Sequence, residues 1–411
     1  MKKIYFDHSA TTPLDKEVFE AMEPYMREVY GNPSSIHNFG QAALAGVDKS
    51  RKQLAKYLNC EAKEVAFTSG ATESDNLAVR GLIAGLKKKG LEKMHIITSL
   101  VEHDAVLEPC LRLEKEGVEV SYLRVDKNGV IDLEELKSLI REETVLVSVM
   151  YVNSEVGSVM PIRKIGKAIH NLNESREKEW KKLGSRASKE RPEPIYFHTD
   201  AVQAVNFFSC DVKDNYLDML SLSGHKIYGP KGVGALYVKT GLPVEAIQFG
   251  GHHERNLRSG TLNVPGIVGL GAAIEQISKE NVEKNNSYIS KLRNKLAEGV
   301  IEKVPDVVLN SDKEKGTPSH AHFSILGVEG EALLISLDME GIAVSTGSAC
   351  ASGSLKASHV LLAMGIDKEI AHYSVRITLG KHTTEDDVSR FLEIFPPIVE
   401  KLRKMNPIYK K

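Results

Sequence analysis

A lysine among small residues is the first candidate for covalent chemistry. Lys226 lies in the segment Ser-Leu-Ser-Gly-His-Lys-Ile-Tyr-Gly-Pro, directly after an apolar run. Burial and neighbouring cations lower the pKa of a lysine, and the neutral amine then forms a Schiff base with an aldehyde cofactor. A lysine taken alone is far more often a surface charge, so the neighbouring motifs decide between these two interpretations.

A carboxylate at the end of a predicted strand supplies what an electron-withdrawing cofactor ring requires. Asp200 closes the run Ile-Tyr-Phe-His-Thr-Asp. Buried beside a ring nitrogen, this carboxylate would keep the nitrogen protonated. Gln203, three residues further on, could bond a ring hydroxyl. The alternative for Asp200 is an ordinary helix N-cap.

A glycine-containing turn that leads into a helix favours binding of a phosphate group. Thr68-Ser-Gly-Ala-Thr72 is such a turn, and helix N-termini offer backbone N–H groups to anions. The expected donors here and beside the lysine are Ser69, Ala71, Thr72, Ser223 and His225. The alternative is ordinary helix capping, with Thr72 and Asp75 as a capping box.

Two further residues have settings that suit chemistry. His103 follows a predicted strand and begins a predicted helix, where its ring could stack on a cofactor or cap the helix. Cys350 lies in Ser-Thr-Gly-Ser-Ala-Cys-Ala-Ser-Gly-Ser, and such a loop leaves a thiol exposed for attack on a ligand. Cys60, Cys110 and Cys210 lack this setting, so we expect them to be inert.

The elements that must position these residues indicate an α/β fold. Short runs rich in Val and Ile alternate with helical patterns, which is typical of parallel strands joined by helices. The expected strands are Glu64–Thr68, His95–Ser99, Val118–Leu123, Thr144–Val149, Ile195–Thr199, Leu217–Leu222 and Gly234–Val238. Val79, Leu82, Ile83 and Leu86 form the apolar stripe of one helix between these strands.

The chain length of 411 residues and the change in residue pattern after Pro265 predict more than one domain. We expect residues 1–15 to associate with a small domain, residues 16–262 to form a large cofactor domain, and residues 263–411 to form the small domain with the Cys350 loop. After Pro265 a long charged helical stretch is expected to about Val304, and a final helix from Thr384 with Asp387 as its capping-box partner. Residues 171–194 look like an added charged segment, either a solvated helix extension or a docking site for a partner.

Composition narrows the class of ligand. The 54 Lys and Arg balance 55 Asp and Glu, so no long-range field recruits nucleic acid or an anionic membrane. No apolar run reaches membrane-spanning length and the N-terminus has no secretory pattern. The four cysteines lie far apart, which fits free thiols in a reducing cytoplasm.

Taken together, the motifs resemble the cysteine desulfurases, which are class V, fold type I pyridoxal-phosphate enzymes. The resemblance covers nearly the whole chain and rests on the order and spacing of its motifs. These are Tyr5–Pro13, Gly31–His37, Thr68–Asn76, Asn153–Gly157, Asp200–Gln203, Ser223–Lys226, Arg258–Thr261, Cys350 and Ser374–Arg376. It implies a mostly parallel seven-stranded sheet and a smaller α+β C-terminal domain.

The resemblance also implies a role for each matching position. Lys226 would bind the cofactor aldehyde, Asp200 the ring nitrogen and Gln203 the ring oxygen, while His103 would stack and shuttle protons. The implied phosphate ligands are Thr72, Ser223 and His225, with Thr261 reaching across from the second subunit of a homodimer. Ala71 and Gly224 would also bind the cofactor. Asn153, which would also contact the cofactor, and Arg376 would grip the substrate carboxylate.

The implied activity is that of a sulfurtransferase, the removal of sulfur from L-cysteine. L-Alanine would be released, and Cys350 would carry a persulfide for a protein acceptor such as an iron–sulfur scaffold or a tRNA-thiolation protein. No intrinsic metal is implied; only a transient iron–sulfur cluster would contact Cys350. Direct nucleic-acid or membrane partners are not expected.

Other functions remain open at this stage. A selenocysteine lyase or another class V aminotransferase would use the same cofactor site, although transamination needs no thiol. A non-catalytic sulfur-assembly adaptor would be expected to lack Lys226 or Cys350, and both are present. The chain departs from the family pattern at His8, at Lys381-His382 and at residues 171–194. The last of these departures affects acceptor docking and not the chemistry.

Overall fold

Short strands alternate with helices along the chain, as the apolar runs predict. The computed structural model describes residues 3–183, 192–277, 279–346, 357–407 and 409. In chain order the strands are β1 (Ile4–Tyr5), β2 (Val65–Thr68), β3 (His95–Ser99), β4 (Glu119–Leu123), β5 (Thr144–Ser148), β6 (Tyr196–Asp200), β7 (Met219–Ser223), β8 (Gly234–Val238), β9 (Val307–Leu309), β10 (His320–Ile325), β11 (Ile342–Ala343) and β12 (Ser374–Thr378). Strands β2 to β8 match the predicted runs.

The strands β2 to β8 form one sheet in the order β2-β8-β7-β6-β5-β3-β4. Only β8 runs antiparallel to its neighbours in this sheet, and the remaining pairs are parallel. Every side chain of β3 and of β5 to β8 is buried, because helices cover both faces. The prediction of a mostly parallel seven-stranded α/β sheet is therefore confirmed.

Helices connect and cover these strands. Their bounds are α1 (Lys16–Arg27), α2 (Asn38–Leu58), α3 (Ala71–Asn76), α4 (Leu82–Lys88), α5 (Asp104–Lys115), α6 (Leu133–Leu139), α7 (Ile162–Leu183), α8 (Val264–Gln276), α9 (Lys279–Lys303), α10 (Gly330–Met339), α11 (His359–Ala363), α12 (Lys368–His372) and α13 (Glu385–Met405). A π-helical turn joins α3 to α4, so the chain is helical throughout 71–88.

Alternating strand residues bury two cores, one on each face of the sheet. Ile96 and Leu146 point to the face covered by α4 and α5, where they join the predicted stripe from Val79 to Leu86. Ile97 and Val147 point to the opposite face, where they join a larger cluster that includes side chains of α2, α7 and α8. Helices on both faces hold the strand ends rigidly, and these ends carry the candidate site.

A second sheet, in the order β12-β10-β9, belongs to the C-terminal part of the chain. It packs with α9, α10 and α13 around its own apolar cluster, which includes Ile4 and Phe6 from the N-terminus. Thr384 caps α13 and forms the predicted capping box with Asp387. The buried stripe of α13 begins at Val388, as predicted.

Two details after Pro265 differ from the prediction. The expected single charged helix is two helices, and α8 is mostly apolar and buried. Its side chains, including Ile267 and Leu270, pack into the larger core. The predicted division after residue 262 stays a prediction, and this packing favours a division after α8.

The added segment is partly helical. Its first residues continue α7 to Leu183, while residues 184–191 lie outside the described chain. Asn173 fixes the two ends of the segment together, since its amide nitrogen donates to the carbonyl oxygen of Ile195 at 2.9 Å. No described helix is long and apolar enough to cross a membrane.

Candidate active site

The predicted site residues converge on one cavity of about 620 Å³ at the carboxyl ends of the central strands. Strand ends of a parallel sheet are the usual place for ligands in α/β folds. Residues from several parts of the chain meet there, namely Ala71, Thr72, His103, Asp200, Gln203, Ser223, His225, Lys226 and Arg376. Sequence separation between the first and the last of these is large, so only the fold brings them together.

Lys226 stands on a short turn directly after β7. Its Nζ donates to the carbonyl oxygens of Ser9 and Ala10, the latter at 2.8 Å. A Cβ at Gly224 would lie 2.8 Å from the carbonyl oxygen of Pro230, so the turn that carries the lysine requires glycine there. The N-terminal segment thus holds the amine in the cavity.

Asp200 is the last residue of β6 and is nearly buried. Its Oδ1 accepts the backbone N–H of Val202 at 2.8 Å. Burial raises the pKa of Asp200, while the Val202 N–H and the charges of His103 and Lys226 oppose the rise. A bound cationic ring nitrogen would oppose it further, because an opposite charge favours the carboxylate.

The turn expected to bind phosphate has a different cap from the one predicted. Helix α3 begins at Ala71 with Gly70 as its N-cap, and no side chain caps it. The predicted capping box of Thr72 and Asp75 is wrong, because Thr72 is already inside the first turn and Asp75 is buried. The hydroxyl of Thr72 is therefore not used by the helix end, and this residue lines the cavity.

Ser223 and His225 line the same cavity as this turn. Burial, together with the charges of Lys226 and Lys231, lowers the pKa of His225 to about 4. The imidazole is therefore neutral at physiological pH, and its Nδ1 lies 3.1 Å from the hydroxyl oxygen of Thr11. Because His225 is neutral, Lys226 and Lys231 supply the positive charge at this end of the cavity.

His103 caps a helix, which was one of the two roles expected from the sequence, and it also lines the cavity. Its Nδ1 accepts the backbone N–H of Ala105 at 3.0 Å, which makes it the N-cap of α5. That bond fixes Nδ1 as an acceptor, so a proton on the neutral ring is on Nε2. Stacking on a cofactor ring stays a prediction.

Arg376 projects from β12 of the small sheet into the same cavity. One Nη donates to the carbonyl oxygen of Ser154 at 3.0 Å, and the other to the carboxylate of Asp7 at 2.9 Å. Its Nε has no hydrogen-bond partner among the described residues. A planar guanidinium held in this way is oriented for a carboxylate ligand.

Three predicted site residues are placed elsewhere or not described. Asn153 is buried, and its amide is bonded to Val101, Glu155 and Val156, so the structure gives it the task of shaping the loop beside the site. Thr261 is exposed, and its contact across a subunit boundary stays a prediction. Cys350 lies outside the described residues.

The other cysteines are unsuited to nucleophilic attack. Burial raises the pKa of Cys60, Cys110 and Cys210 to about 12. A thiol with a raised pKa holds very little thiolate at neutral pH. Their geometry is consistent with the inert role expected from the sequence.

The sequence motifs pointed to the N-terminal segment without giving its residues a role. Ser9 links two other parts of the site. Its hydroxyl donates to the carbonyl oxygen of Ser154 at 2.6 Å, and its carbonyl oxygen accepts from the side-chain amide of Gln203 at 3.0 Å. Asp7 is the ion-pair partner of Arg376. Residues this distant in sequence give no local signal of contact, so only the motif Tyr5–Pro13 itself could have indicated them.

The donor set fits pyridoxal phosphate. Lys226 presents an amine for the aldehyde, and Asp200 presents a buried carboxylate for the ring nitrogen. The turn around Thr72 presents hydroxyl and N–H donors for the phosphate. The carboxylate and the amine line the same cavity, as a ring between them requires.

Comparison with known proteins gives a consistent result. The family model for aminotransferase class-V matches residues 4–175 and 178–391. A cysteine desulfurase IscS of Clostridium botulinum is 45% identical over 410 residues, which span 99% of this chain and 97% of that protein.

Solved structures agree with these matches. A NifS-like protein superposes with a TM-score of 0.86 and 36% identity, covering 97% of this chain and 100% of its own. A structure of SspA in complex with cysteine superposes with a TM-score of 0.77 and 34% identity, covering 93% and 100%. The similarity therefore includes both the large sheet and the C-terminal part.

Proposed function

The chain belongs to the aminotransferase class-V family and, within it, to the cysteine desulfurases, and from this premise we propose that it converts L-cysteine to L-alanine while transferring the sulfur to Cys350. The observation that carries the proposal is the meeting of Lys226, Asp200 and Arg376 in one cavity. These three groups are, respectively, an amine, an acid and a carboxylate receptor.

Pyridoxal phosphate, when bound, supplies an aldehyde for amino groups and a ring that stabilises negative charge at the substrate Cα. Lys226 would hold the aldehyde carbon, Asp200 the ring nitrogen, and Gln203 the ring oxygen. Ala71, Thr72, Ser223, Gly224 and His225 would hold the phosphate, with Thr261 of a second subunit.

The substrate is recognised by its carboxylate. Arg376 would exchange its bond to Asp7 for a paired interaction with the carboxylate of L-cysteine. Asn153 would support this end of the substrate through the loop whose backbone N–H groups it accepts. With the cofactor bound, the amine of Lys226 would give up its place to the amino group of the substrate and would then accept or return the proton at the substrate Cα. Binding at Arg376 thereby sets the direction in which the substrate thiol points.

Sulfur transfer needs a second thiol. The thiolate of Cys350 attacks the sulfur of the substrate, forming a sulfur–sulfur bond while the bond between that sulfur and Cβ breaks. The electron pair of the broken bond stays on the carbon skeleton, which gains protons and leaves as L-alanine. His103, which lines the cavity, is the proposed proton carrier, and Cys350 retains the persulfide.

A protein acceptor completes the cycle. We propose an iron–sulfur scaffold or a tRNA-thiolation protein as acceptor, because the persulfide must leave before the next turnover. Three described cysteines are free thiols, which supports a reducing cytoplasm as the location.

A homodimer is the proposed assembly. Large apolar side chains are exposed near the ends of α1 and α2, where Ile36 is 94% exposed and the rings of Tyr30 and Phe39 lie 5.7 Å apart. Apolar patches of this kind are typical of protein interfaces. Light scattering should give twice the mass of one chain, and a monomer at micromolar concentration would contradict the proposal.

The decisive experiment follows alanine, sulfide and the persulfide itself. Purified protein is incubated with L-cysteine, and the peptide containing residue 350 is examined for one added sulfur atom. Cys350→Ala should keep bound cofactor and form almost no sulfide, whereas Lys226→Ala should lose the covalent attachment of the cofactor.

Cys60→Ala is the matched control for loss of a thiol, and it should retain activity because Cys60 lies away from the cavity. Equal sulfide release by the wild type and Cys350→Ala would refute the role of Cys350. Running selenocysteine beside cysteine separates desulfurase from selenocysteine lyase activity.

A further inference from the structure

Glu73 places a negative charge where the proposed function needs an anion to bind. It lies in the first turn of α3 and lines the cavity together with Ser69 and Thr72. A carboxylate close to a phosphate group repels it, because the two charges have the same sign. The sequence motifs gave Glu73 no role, so its presence at this end of the cavity requires an explanation.

Glu73 accepts both hydrogen-bond donors of Ser69. Its Oε2 accepts the backbone N–H of Ser69 at 2.8 Å and the hydroxyl of the same residue at 2.5 Å. Ser69 was one of the expected phosphate donors, and the structure uses both of its donors within the turn instead. Because Ala71 and Thr72 lie between Ser69 and Glu73 in the chain, these bonds fix the segment that would meet the phosphate.

Arg258 supplies the counter-charge of Glu73. Its Nε donates to Oε1 of Glu73 at 2.9 Å, and both side chains are mostly buried, so solvent ions screen this pair only weakly. Burial opposes ionisation of Glu73, but the bonds from Ser69 and Arg258 outweigh it and lower the pKa of Glu73. The acid is therefore ionised at neutral pH, and the pair that it forms with Arg258 carries no net charge.

The loop that carries Arg258 is itself bonded to the strand that precedes the turn. The carboxylate of Glu254 accepts from the two Nη atoms of Arg51 at 2.7 and 2.6 Å, and from the backbone N–H of Phe67 in β2 at 2.7 Å. Glu254 and the two residues after it have φ angles of 43°, 56° and 67°. Such angles are uncommon outside glycine and persist where the surrounding structure enforces them. The fold thus holds the loop in a conformation that brings Arg258 to Glu73.

We propose that Glu73 and Arg258 are positioning residues for the cofactor phosphate: Glu73 fixes the turn through Ser69, and Arg258 cancels the negative charge of Glu73 that would otherwise repel the phosphate. The positive charges of Lys226 and Lys231, which line the same cavity, then attract the phosphate without opposition from Glu73. This inference deepens the proposed function and rests on it for the identity of the phosphate. Neither residue of the pair needs to touch the cofactor.

The first test measures the affinity of the apoprotein for pyridoxal phosphate and for pyridoxal, which lacks the phosphate. Arg258→Met leaves the charge of Glu73 unpaired and should weaken binding of pyridoxal phosphate by about tenfold, within the range for partners in one ion-pair network. Binding of pyridoxal should change by less than about twofold. The double variant Glu73→Gln/Arg258→Met is neutral again and should return to within about threefold of the wild type. A double variant as weak as Arg258→Met would overturn the proposal, because removing a second partner does not repair a purely structural loss.

The second test separates the charge of Glu73 from its bonds to Ser69. Glu73→Ala/Arg258→Met and Glu73→Gln/Arg258→Met are both neutral, but only glutamine offers an oxygen to the donors of Ser69. The alanine variant should bind pyridoxal phosphate roughly fivefold more weakly, the loss expected for one hydrogen bond, and equal affinities would overturn the role of Glu73 in fixing the turn. Arg80→Met is the matched control, since Arg80 forms a surface ion pair with Glu116. It removes the same charge and should leave both affinities unchanged.

Inorganic phosphate gives a readout that needs neither the cofactor nor activity. Its stabilisation of the apoprotein against heat should be smaller in Arg258→Met than in the wild type and should recover in Glu73→Gln/Arg258→Met; equal stabilisation of all three would contradict the proposal. If the wild type binds pyridoxal phosphate but releases no alanine from L-cysteine, the proposed function fails while these comparisons still support or refute the role of the pair. If the wild-type apoprotein binds neither pyridoxal phosphate nor phosphate, the cavity is not an anion site and the inference is wrong.

Discussion

Replacing Arg376 by lysine should weaken recognition of the substrate carboxylate while leaving the fold intact. Arg376 is 5% exposed, and its guanidinium is bonded to Ser154 and Asp7. Lysine keeps the positive charge and most of the length, but it cannot present two parallel N–H donors. The substitution therefore separates paired hydrogen bonding from simple charge attraction.

The magnitude follows from the loss of one charged hydrogen bond. Such bonds contribute roughly 1.5–3 kcal/mol, and each 1.4 kcal/mol corresponds to about a factor of ten. We expect kcat/KM for L-cysteine to fall by about 10- to 150-fold, mainly through KM, because the contact forms when the substrate binds.

The assay compares L-cysteine with cysteamine, which has the same thiol and amine but no carboxylate. Arg376→Lys should lose activity toward L-cysteine only, so the preference of the wild type for L-cysteine should shrink by the same factor. Arg293→Lys is a matched control, since Arg293 is also buried but, among the described residues, donates to Asn294 and to carbonyl oxygens of the C-terminal part of the chain. It should lower stability and leave KM unchanged.

Two outcomes would refute this reasoning. If KM for L-cysteine changes by less than twofold in Arg376→Lys, the arginine does not bind the carboxylate. If activity toward both substrates falls equally, its role is to hold the N-terminal segment through Asp7.

Three further predictions concern stability and the lysine turn. Thr384→Ala removes the cap of α13 and should lower the free energy of unfolding by ~1 kcal/mol, measured by urea titration; an unchanged midpoint would contradict this. Burial lowers the pKa of His198 and His322 to about 3, so their neutral forms contribute stability above pH 6.5 that is lost as the pH falls toward 3. At pH 5 each histidine should lower the free energy of unfolding by roughly 2 kcal/mol. His322→Gln should therefore make the free energy of unfolding depend less steeply on pH below 6.5; an unaltered slope would show that His322 is not responsible. Gly224→Ala places a Cβ 2.8 Å from the Pro230 carbonyl oxygen and should reduce cofactor affinity, followed by absorption after dialysis; full retention would mean that the turn adapts.

Much of the fold could be predicted because its signals are local. Strands buried on both faces are continuous apolar runs, and this is why β2 to β8 could be found within two residues of their bounds. The cap at Thr384 and the helix beginning after His103 were also local patterns of side chain and backbone. Failures occurred where local patterns had two meanings: Thr72 and Asp75 have capping-box spacing, but the backbone begins the helix at Ala71.

The sequence alone determined which residue types are available for chemistry, including Lys226, Asp200 and Arg376, because their motifs are short and ordered along the chain. Tertiary structure decided their neighbours. The contact of Arg376 with Asp7 joins residues at opposite ends of the chain, and Asp75 is buried where α3 packs against β7 and β8. The protonation state of a side chain depends on its distance from other charges and on its solvent exposure. Both are set by the tertiary structure and cannot be read from the order of residues along the chain.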